Sequence, residues 1–313
     1  MTRRYIGGVL GILVVFSGGF WVWGSGGAGG GVGDTRAIAS KEQKSVLEEP
    51  EPIRMLFVGD MMFDRHVRKM VDVYGWEHIF SCVDDFLNDF DMVVGNLEGP
   101  ITAYESVSVG TEPGSRDNYV FTFPPETARL LAQHNIGIVS IANNHIRNFG
   151  YEGEEETKKR LNEVGVGYMS NDKPVYREGN VSLVAFNIFS GMSANEIALK
   201  IQEEKKAGQT VIVYAHWGEE YSKSVASMQS LAQTFVESGA DIIIGSHPHI
   251  VIPKEEIGSV PVYYSLGNFI FDQYFSDDVR HGLALGVEIV EDDISLTEYP
   301  VEMFPDGRTC MFE

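Results

Sequence analysis

Short apolar runs alternate with amphipathic stretches along most of the chain. The runs are rich in β-branched residues and end in turns rich in Gly, Asn and His. They cover Ile53–Val58, Asp91–Val94, Ile136–Ile141, Val181–Ile188, Val211–Ala215, Asp241–Ile244 and Pro261–Ser265. Runs that are apolar on both faces are typical of buried strands in a sheet covered by helices. The intervening stretches have helical spacing, as in Ala194–Ala207 and Val225–Ser238.

The pattern changes after Phe271. Gly282–Val290 and Ile294–Val301 alternate apolar and polar positions on either side of an acidic turn, which predicts a β-hairpin. We therefore predict an α/β fold in which mixed β-sheets are covered by helices, with a C-terminal β-hairpin. The predicted domain spans residues 53–313.

The first 34 residues have a different character. Arg3 and Arg4 precede an uncharged run from Tyr5 to Trp23, close to the ~20 residues that cross a bilayer, and a glycine-rich tether follows. We interpret residues 1–34 as an uncleaved single-pass anchor with a cytoplasmic N-terminus, and residues 35–52 as a linker. A cleaved signal, which would give a secreted protein, and a buried N-terminal helix are the alternatives. An anchor or a signal makes the body extracytoplasmic.

Acidic residues outnumber basic ones. The chain has 24 Lys and Arg against 45 Asp and Glu, a formal charge of −21. Residues 1–33 contribute two arginines and no acid, so the rest of the chain carries −23. This charge argues against a nucleic-acid partner and against an anionic membrane surface. Two cysteines, Cys82 and Cys310, exclude a disulfide framework and a thiolate zinc site but leave their own pairing open.

Polar side chains follow five of the predicted strands, where the ligand site of an open α/β sheet lies. They are two carboxylates, three amides and four imidazoles: Asp60, Asn96, Glu98, Asn143, Asn144, His145, His216, His247 and His249. Each one alone could be a turn, cap or core residue. Their repeated placement instead favours a centre of two divalent metal ions (Mn, Zn, Fe or Mg). If the loop that carries His247 and His249 is extended, the two imidazoles would address different metals.

Six sequence blocks resemble the signatures of one family, the CapA / poly-γ-glutamate capsule biosynthesis family, whose fold is similar to that of calcineurin-like metallophosphoesterases. The blocks are GDMMFDR, NLEGPIT, ANNHIRNFG, AHWGEEY, GADIIIGSHPH and YYSLGNFIFDQ. The resemblance implies a catalytic His145 beside the scissile group. It also implies the metal ligands Asp60, Glu98, Asn144, His216, His247 and His249. The chain has Met62 where the phosphoesterase pattern has a metal-binding histidine.

The resemblance implies a function in the synthesis, export or anchoring of poly-γ-glutamate or another envelope polymer. The expected chemistry is metal-assisted hydrolysis or transfer at a phosphoester or an amide. The expected partners are the membrane, a polymer synthase complex and an anionic envelope polymer. A non-catalytic assembly partner of the synthase and a general secreted metallophosphatase are the alternatives. Further candidates for contacts with the metal ligands or the substrate are Asn96, Asn143, Glu219, Asn268 and Arg65.

Overall fold

The computed structural model describes residues 52–312, and its first strand begins at Ile53. The predicted anchor, residues 1–34, and the predicted linker up to residue 51 lie outside the described residues. Within residues 52–312, no helix is both long enough and apolar enough to cross a membrane.

Strands and helices alternate through the first two thirds of the described part, and strands dominate the last third. The strands are β1 (Ile53–Met61), β2 (Met92–Leu97), β3 (Ile136–Ser140), β4 (Gly167–Met169), β5 (Val175–Glu178), β6 (Val181–Asn187), β7 (Thr210–His216), β8 (Ile242–Ser246), β9 (Val251–Ile252), β10 (Glu255–Ile257), β11 (Val260–Tyr263), β12 (Ser265–Leu266), β13 (Asn268–Ile270), β14 (His281–Val290), β15 (Asp293–Met303) and β16 (Thr309–Met311). The α-helices are α1 (Arg65–Tyr74), α2 (Asp84–Asn88), α3 (Glu126–Gln133), α4 (Gly150–Val164), α5 (Ala194–Lys206), α6 (Ala226–Glu237) and α7 (Asp277–Arg280). Short 3₁₀ turns cover Trp76–His78, Arg116–Tyr119 and Ile188–Ser190.

Two mixed sheets form the middle of the fold. The larger has the order β16-β15-β14-β1-β2-β3-β4, and β13 also pairs with β1. Its strands β1 to β4 are parallel, whereas β14 to β16 are antiparallel. The smaller has the order β10-β11-β8-β7-β6-β5, with four parallel strands between antiparallel edges. Strands β9 and β12 pair separately.

The two sheets share one apolar layer. Met55 and Phe57 of β1 belong to the same buried cluster as Ile212 and Tyr214 of β7. The Tyr214 hydroxyl also donates a hydrogen bond to the Val58 carbonyl at 2.6 Å. Because side chains alternate between the faces of a strand, the remaining strand residues point to the outer faces.

Helices cover both outer faces. Val67 of α1, Leu131 of α3 and Leu161 of α4 pack on the larger sheet. Ile201 of α5 and Phe235 of α6 pack on the smaller one. The order of layers is helix, sheet, sheet, helix, so the predicted α/β class with layered mixed sheets is confirmed. The C-terminal hairpin is also confirmed, since β14 and β15 pair along ten positions.

The largest differences from the sequence prediction lie at strand ends and in very short strands. β2 continues to Leu97, so Asn96 lies inside the strand, and His216 is the last residue of β7. The predicted run Pro261–Ser265 covers most of β11, whereas β9, β10, β12 and β13 have two or three residues each, too few for hydrophobic periodicity to reveal.

The sequence left the pairing of the cysteines open, and the structure joins them. Cys82 and Cys310 form a disulfide with their Cα atoms 4.8 Å apart. The bond links the turn before α2 to β16 across a sequence separation of 228 residues.

Candidate metal centre

The carboxyl ends of β1, β2, β3, β7 and β8 meet at one edge of the paired sheets. Asp60 and Asn96 are direct partners in the β1–β2 ladder, and His216 and Ser246 are partners in the β7–β8 ladder. Glu98 follows β2 and is fully buried. The structure brings together at this edge Asp60, Asn96, Glu98, Asn143, Asn144, His145, His216, His247, His249 and Asn268.

Asp60 lies at the base of this cluster, and both of its carboxylate oxygens have protein partners. Its Oδ1 accepts a hydrogen bond from Asn96 Nδ2 at 2.7 Å, and its Oδ2 accepts one from the His247 backbone N–H at 3.1 Å. His249 Nδ1 lies 3.2 Å from the same Oδ2. Asn96 Nδ2 also donates to Glu98. Asp60 and Asn96 therefore fix the positions of Glu98 and of the histidine loop.

The loop after β3 has two asparagines with different tasks. Asn143 Oδ1 accepts the backbone N–H groups of His145 at 3.0 Å and of Ile146 at 2.9 Å, so it shapes the loop. Its Nδ2 donates to Asn96 Oδ1 at 3.0 Å, which ties the loop to β2. Asn144 Oδ1 instead lies 2.9 Å from His216 Nε2.

One group of buried ligand atoms fits a metal ion. An oxygen of Glu98 and nitrogens of His216 and His247 all lie within 4.8 Å of one another, and Glu98 Oε1 is 3.6 Å from His216 Nε2. Glu98 Oε1 and His247 Nδ1 are buried without any hydrogen-bond partner. Unpartnered buried polar atoms are costly, and a cation would satisfy both. Imidazole, carboxylate and amide donors suit Zn, Mn or Fe.

The ionisation of this group follows from its burial. Burial is the largest cause that raises the pKa of Glu98 well above its ordinary value, and the charge of Asp60 is the second. Burial also lowers the pKa of His216 well below its ordinary value and lowers the pKa of His247 to about 3. The imidazoles are therefore neutral at neutral pH, the form that binds metals.

His145 lies between Glu98 and Asn148. Its Nδ1 is 3.1 Å from Asn148 Oδ1, which also accepts the Phe121 backbone N–H at 2.9 Å. Because a backbone N–H only donates, the atom facing His145 is the amide oxygen, and Nδ1 of the neutral ring carries the proton. Nε2, 3.8 Å from Glu98 Oε1, is then the basic nitrogen. Burial is the largest cause that lowers the pKa of His145 to about 4.

The histidine loop after β8 is not extended. His247 has φ 96° and His249 has φ 59°, both in the left-handed region that non-glycine residues rarely adopt. Instead of facing apart, both imidazoles belong to a second ligand group, which they form with Glu220. Glu219, the candidate expected from the sequence, belongs to neither ligand group of the described residues. Gly218 in the sequence signals a turn here but does not indicate which of the next two acids returns to the cluster.

Asn268 orients His249. Its Oδ1 lies 2.9 Å from His249 Nδ1, and its Nδ2 donates to the backbone carbonyls of His249 at 3.3 Å and Val279 at 3.1 Å. A further bond from Nδ2 to Gln273 Oε1 at 3.1 Å fixes the orientation of the amide. The hydrogen bonds of Asn268 therefore fix the orientation of the His249 ring.

A cavity of about 480 Å³ opens beside the cluster, lined in part by Arg65, Lys69, Tyr119 and Tyr221. The ring of Tyr221 lies 5.9 Å from that of His249, which connects the cavity with the cluster. Arg65 is mostly buried and forms an ion pair with Asp272. Arg65 therefore belongs to the cavity wall, as does Lys69, which the sequence analysis did not single out.

Comparison with known proteins identifies the family. Residues 54–175 and 169–273 match the family described as "Bacterial capsule synthesis protein PGA_cap". The chain belongs to this family. The resemblance predicted from the six blocks is thereby confirmed. The family match includes all the residues of the cluster, from Asp60 to Asn268.

Two homologous proteins and one solved structure extend the comparison. The chain is 32% identical to PGA biosynthesis protein CapA of Bacillus subtilis (strain 168), over 69% of the chain and 63% of that protein. It is 30% identical to capsule biosynthesis protein CapA of Bacillus anthracis, over 76% of the chain and 64% of that protein. The chain thus spans just under two thirds of the length of these relatives. A solved structure described as a novel phosphatase from Mycoplasma pneumoniae aligns at 10% identity with a TM-score of 0.45, over 80% of this chain and 94% of that one.

Proposed function

We propose that this protein acts in the biosynthesis, export or anchoring of poly-γ-glutamate or a related envelope polymer, by metal-assisted hydrolysis or transfer at an amide or phosphoester bond. Family membership supports the polymer class, because two Bacillus relatives are named for PGA and capsule biosynthesis. The chemical part depends on one observation. Glu98, His216 and His247 form a buried group in which two ligand atoms have no hydrogen-bond partner.

The residues of the cluster have distinct roles in this proposal. Glu98, Asn144, His216 and His247 would hold one divalent ion, and His249 a second. When bound, such ions supply Lewis-acid polarisation of the scissile group and a water acidified enough to attack near neutral pH. His145 accepts a proton at Nε2 and returns it to the leaving group.

The cavity beside the cluster is the proposed binding place for acidic groups of the polymer. Lys69 is exposed and, within residues 52–312, has no carboxylate within ion-pair distance. Arg65 is held by Asp272 and by Asn118 Oδ1, which accepts from Nη1 at 3.3 Å. Its guanidinium also lies 5.1 Å from the centre of the Phe121 ring, an arrangement that fixes the charge in place. Asp272 lies on the same wall and offsets the charge of Arg65, so Lys69 gives the cavity wall its excess positive charge, which suits a polyanion even though the chain as a whole is acidic.

We further propose that the body lies outside the cytoplasm, tethered by residues 1–34 through the linker 35–52, beside a polymer synthase complex. The Cys82–Cys310 disulfide supports this location, because structural disulfides persist in oxidising compartments. Fractionation of cells is the test. The full-length protein should remain with membranes after a salt wash and be cleaved by protease added to intact protoplasts, whereas release into the medium would indicate a cleaved signal.

Metal content and activity of the full-length protein test the chemistry. We expect at least one metal ion per chain by elemental analysis, and metal-dependent cleavage of poly-γ-glutamate or of a phosphodiester. The double variant His247→Ala/His249→Ala should lose both. His281→Ala is the matched control, because His281 lies outside the cluster and packs on Phe312 with ring centroids 4.6 Å apart.

Three results would redirect the proposal. Less than half an ion per chain, unchanged in the double variant, would contradict the enzyme and favour an assembly partner of the synthase. Hydrolysis of generic phosphate esters without any effect on the polymer would favour a general secreted metallophosphatase. A stoichiometric metal with cleavage of neither substrate class would contradict the hydrolytic step and leave a binding role.

A further inference from the structure

Strand β1 brings few open ligand positions to the part of the cluster around His249. Met62 lies in the hydrophobic core, where its Sδ accepts the Asp64 N–H at 3.0 Å, so position 62 provides no ligand. Asp60 faces the cluster, but three of the roughly four lone-pair sites of its carboxylate are already taken by protein groups, as described above. A further carboxylate from elsewhere in the chain would therefore complete a metal site on this side.

The loop after β7 brings such a ligand to the cluster. The loop turns at Gly218, with φ 88°, and again at Tyr221, with φ 60°. Its two ends are bonded to the histidine loop, since Trp217 N–H donates to Ser246 O at 3.3 Å and Tyr221 N–H donates to Pro248 O at 2.8 Å. These bonds place Glu220, the residue before Tyr221, next to His247 and His249.

The hydrogen-bond partners of His249 leave one of its ring nitrogens able to bind a metal. Its Nδ1 lies 2.9 Å from Asn268 Oδ1 and 3.2 Å from Asp60 Oδ2, two acceptors that hold the proton on Nδ1. Nε2 then carries the lone pair. Metal-binding histidines commonly donate their other N–H to a carboxylate or carbonyl in this way, which fixes the ring and strengthens the ligand.

The charges of the cluster call for a cation. Glu98 and Glu220 belong to two ligand groups that share His247, and the charge of Glu220 contributes to raising the pKa of Glu98. In the described part of the chain, the ion pairs of Asp60 and Glu98 are with histidines only. His247 Nδ1 is buried without a hydrogen-bond partner beside them. One ligand atom each from Glu220, His247 and His249 lies within 4.8 Å of the others.

We propose that Glu220 is the carboxylate ligand of a second divalent ion, which it holds together with His249 beside the ion of Glu98 and His216. This inference depends on the proposed metal centre and adds to it a carboxylate ligand beyond Asp60 and Glu98. Glu220 is exposed, so the second ion lies on the solvent side of the cluster, next to the cavity. It is therefore the ion that an entering substrate meets first.

Manganese binding to the full-length protein tests the assignment. The protein is stripped with a chelator and titrated with Mn²⁺, and bound ions are counted by elemental analysis and calorimetry. We expect two ions in the wild type and a spin-coupled pair in the electron paramagnetic resonance spectrum. In Glu220→Gln the second ion should bind at least tenfold more weakly, and the spectrum should become that of a single Mn²⁺ ion.

Glu219→Gln is the matched control, because it removes the same charge one residue earlier, also at an exposed position. It should bind two ions like the wild type. Thermal unfolding without metal checks the fold, and both variants should unfold at the wild-type temperature. A Glu220→Gln protein with unchanged stoichiometry and affinity would overturn the role of Glu220 while leaving the metal centre intact. A wild type that binds no Mn²⁺ would overturn the metal centre itself.

Discussion

The charge of Glu98 should make the metal-free protein less stable than the same protein with a neutral side chain at this position. Glu98 is fully buried, Oε1 has no hydrogen-bond partner, and its nearest charged groups include Asp60. Glu98→Gln keeps the shape and removes the charge. We therefore expect this substitution to stabilise the metal-free protein and to abolish its stabilisation by metal.

The size of the effect follows from the cost of an uncompensated buried group. Leaving such a group unpaired costs about 1–3 kcal/mol, so metal-free Glu98→Gln should be more stable than the wild type by about that much near pH 7.5. For a domain of this size, each kcal/mol raises Tm by about 2–4 °C. Saturating metal at a hundred times Kd stabilises the wild type by about 2.7 kcal/mol, and the variant should lose this gain.

The difference in free energy of unfolding between Glu98→Gln and the wild type should also change with pH. Folding raises the pKa of Glu98 above its ordinary value of 4.5, so the protonated group favours the folded state. That contribution is complete below pH 4.5 and is lost as the pH rises through the raised pKa. The advantage of Glu98→Gln should therefore be small at pH 4 and grow toward neutral pH.

Urea unfolding of the full-length protein, with a chelator and then with excess Mn²⁺, measures these differences. Glu154→Gln is the control, because Glu154 is buried but paired with Lys158 at 3.0 Å and Arg147 at 2.7 Å. That variant should be destabilised, since it breaks ion pairs. A metal-free Glu98→Gln protein less stable than the wild type at pH 7.5 would refute the reasoning, as would full Mn²⁺ stabilisation of the variant.

Three further outcomes follow from the structure. Lys69→Ala should weaken binding of oligo-γ-glutamate about two- to fivefold, seen as a higher KM with unchanged kcat and metal content; equal KM values would remove Lys69 from the substrate site. In the wild type the amide oxygen of Asn148 lies 3.1 Å from Nδ1 of His145, and Asn148→Asp replaces it with a carboxylate. NMR titration of the metal-free variant should therefore show the pKa of His145 rising from about 4. An unchanged pKa would contradict the contact. Cys82→Ser/Cys310→Ser should lower the free energy of unfolding by up to about 5 kcal/mol, and equal urea midpoints under oxidising conditions would contradict a constraining disulfide.

The sequence was enough to predict which edge of the sheet most of the cluster residues occupy. Parallel strands end at the same edge of a sheet, so Asp60, Asn96 and His216 were expected to meet, and the structure brings them together. The choice between Glu219 and Glu220 could not be predicted. It depends on the left-handed turns at Gly218 and Tyr221 and on two long-range backbone hydrogen bonds, which no local pattern encodes.

The role of Arg65 shows a second limit of the sequence. Its position after β1 suggested contact with an anionic substrate, which stays a prediction, but nothing in the sequence indicated its ion pair with Asp272, 207 residues later. The same Asp272 accepts the His66 backbone N–H at 3.0 Å, so it also fastens the start of α1. A partner at this distance along the chain is determined by the pairing of β13 with β1, a strand too short to predict.

The acidic charge of the chain is compatible with the proposed polyanionic substrate only if metal binding comes first. Without metal, the carboxylate of the exposed Glu220 would repel a glutamate polymer, and the net charge of −23 outside residues 1–33 adds to this repulsion. Two divalent ions would reverse the local sign, and the charge of Lys69 would extend the positive field along the cavity. Beyond about 10 Å this local field is screened, so the acidic surface at large favours release of the chain after reaction. Binding of the polymer should therefore require bound metal. Its affinity should fall as the salt concentration rises, because salt screens the attraction between the polymer and the cleft.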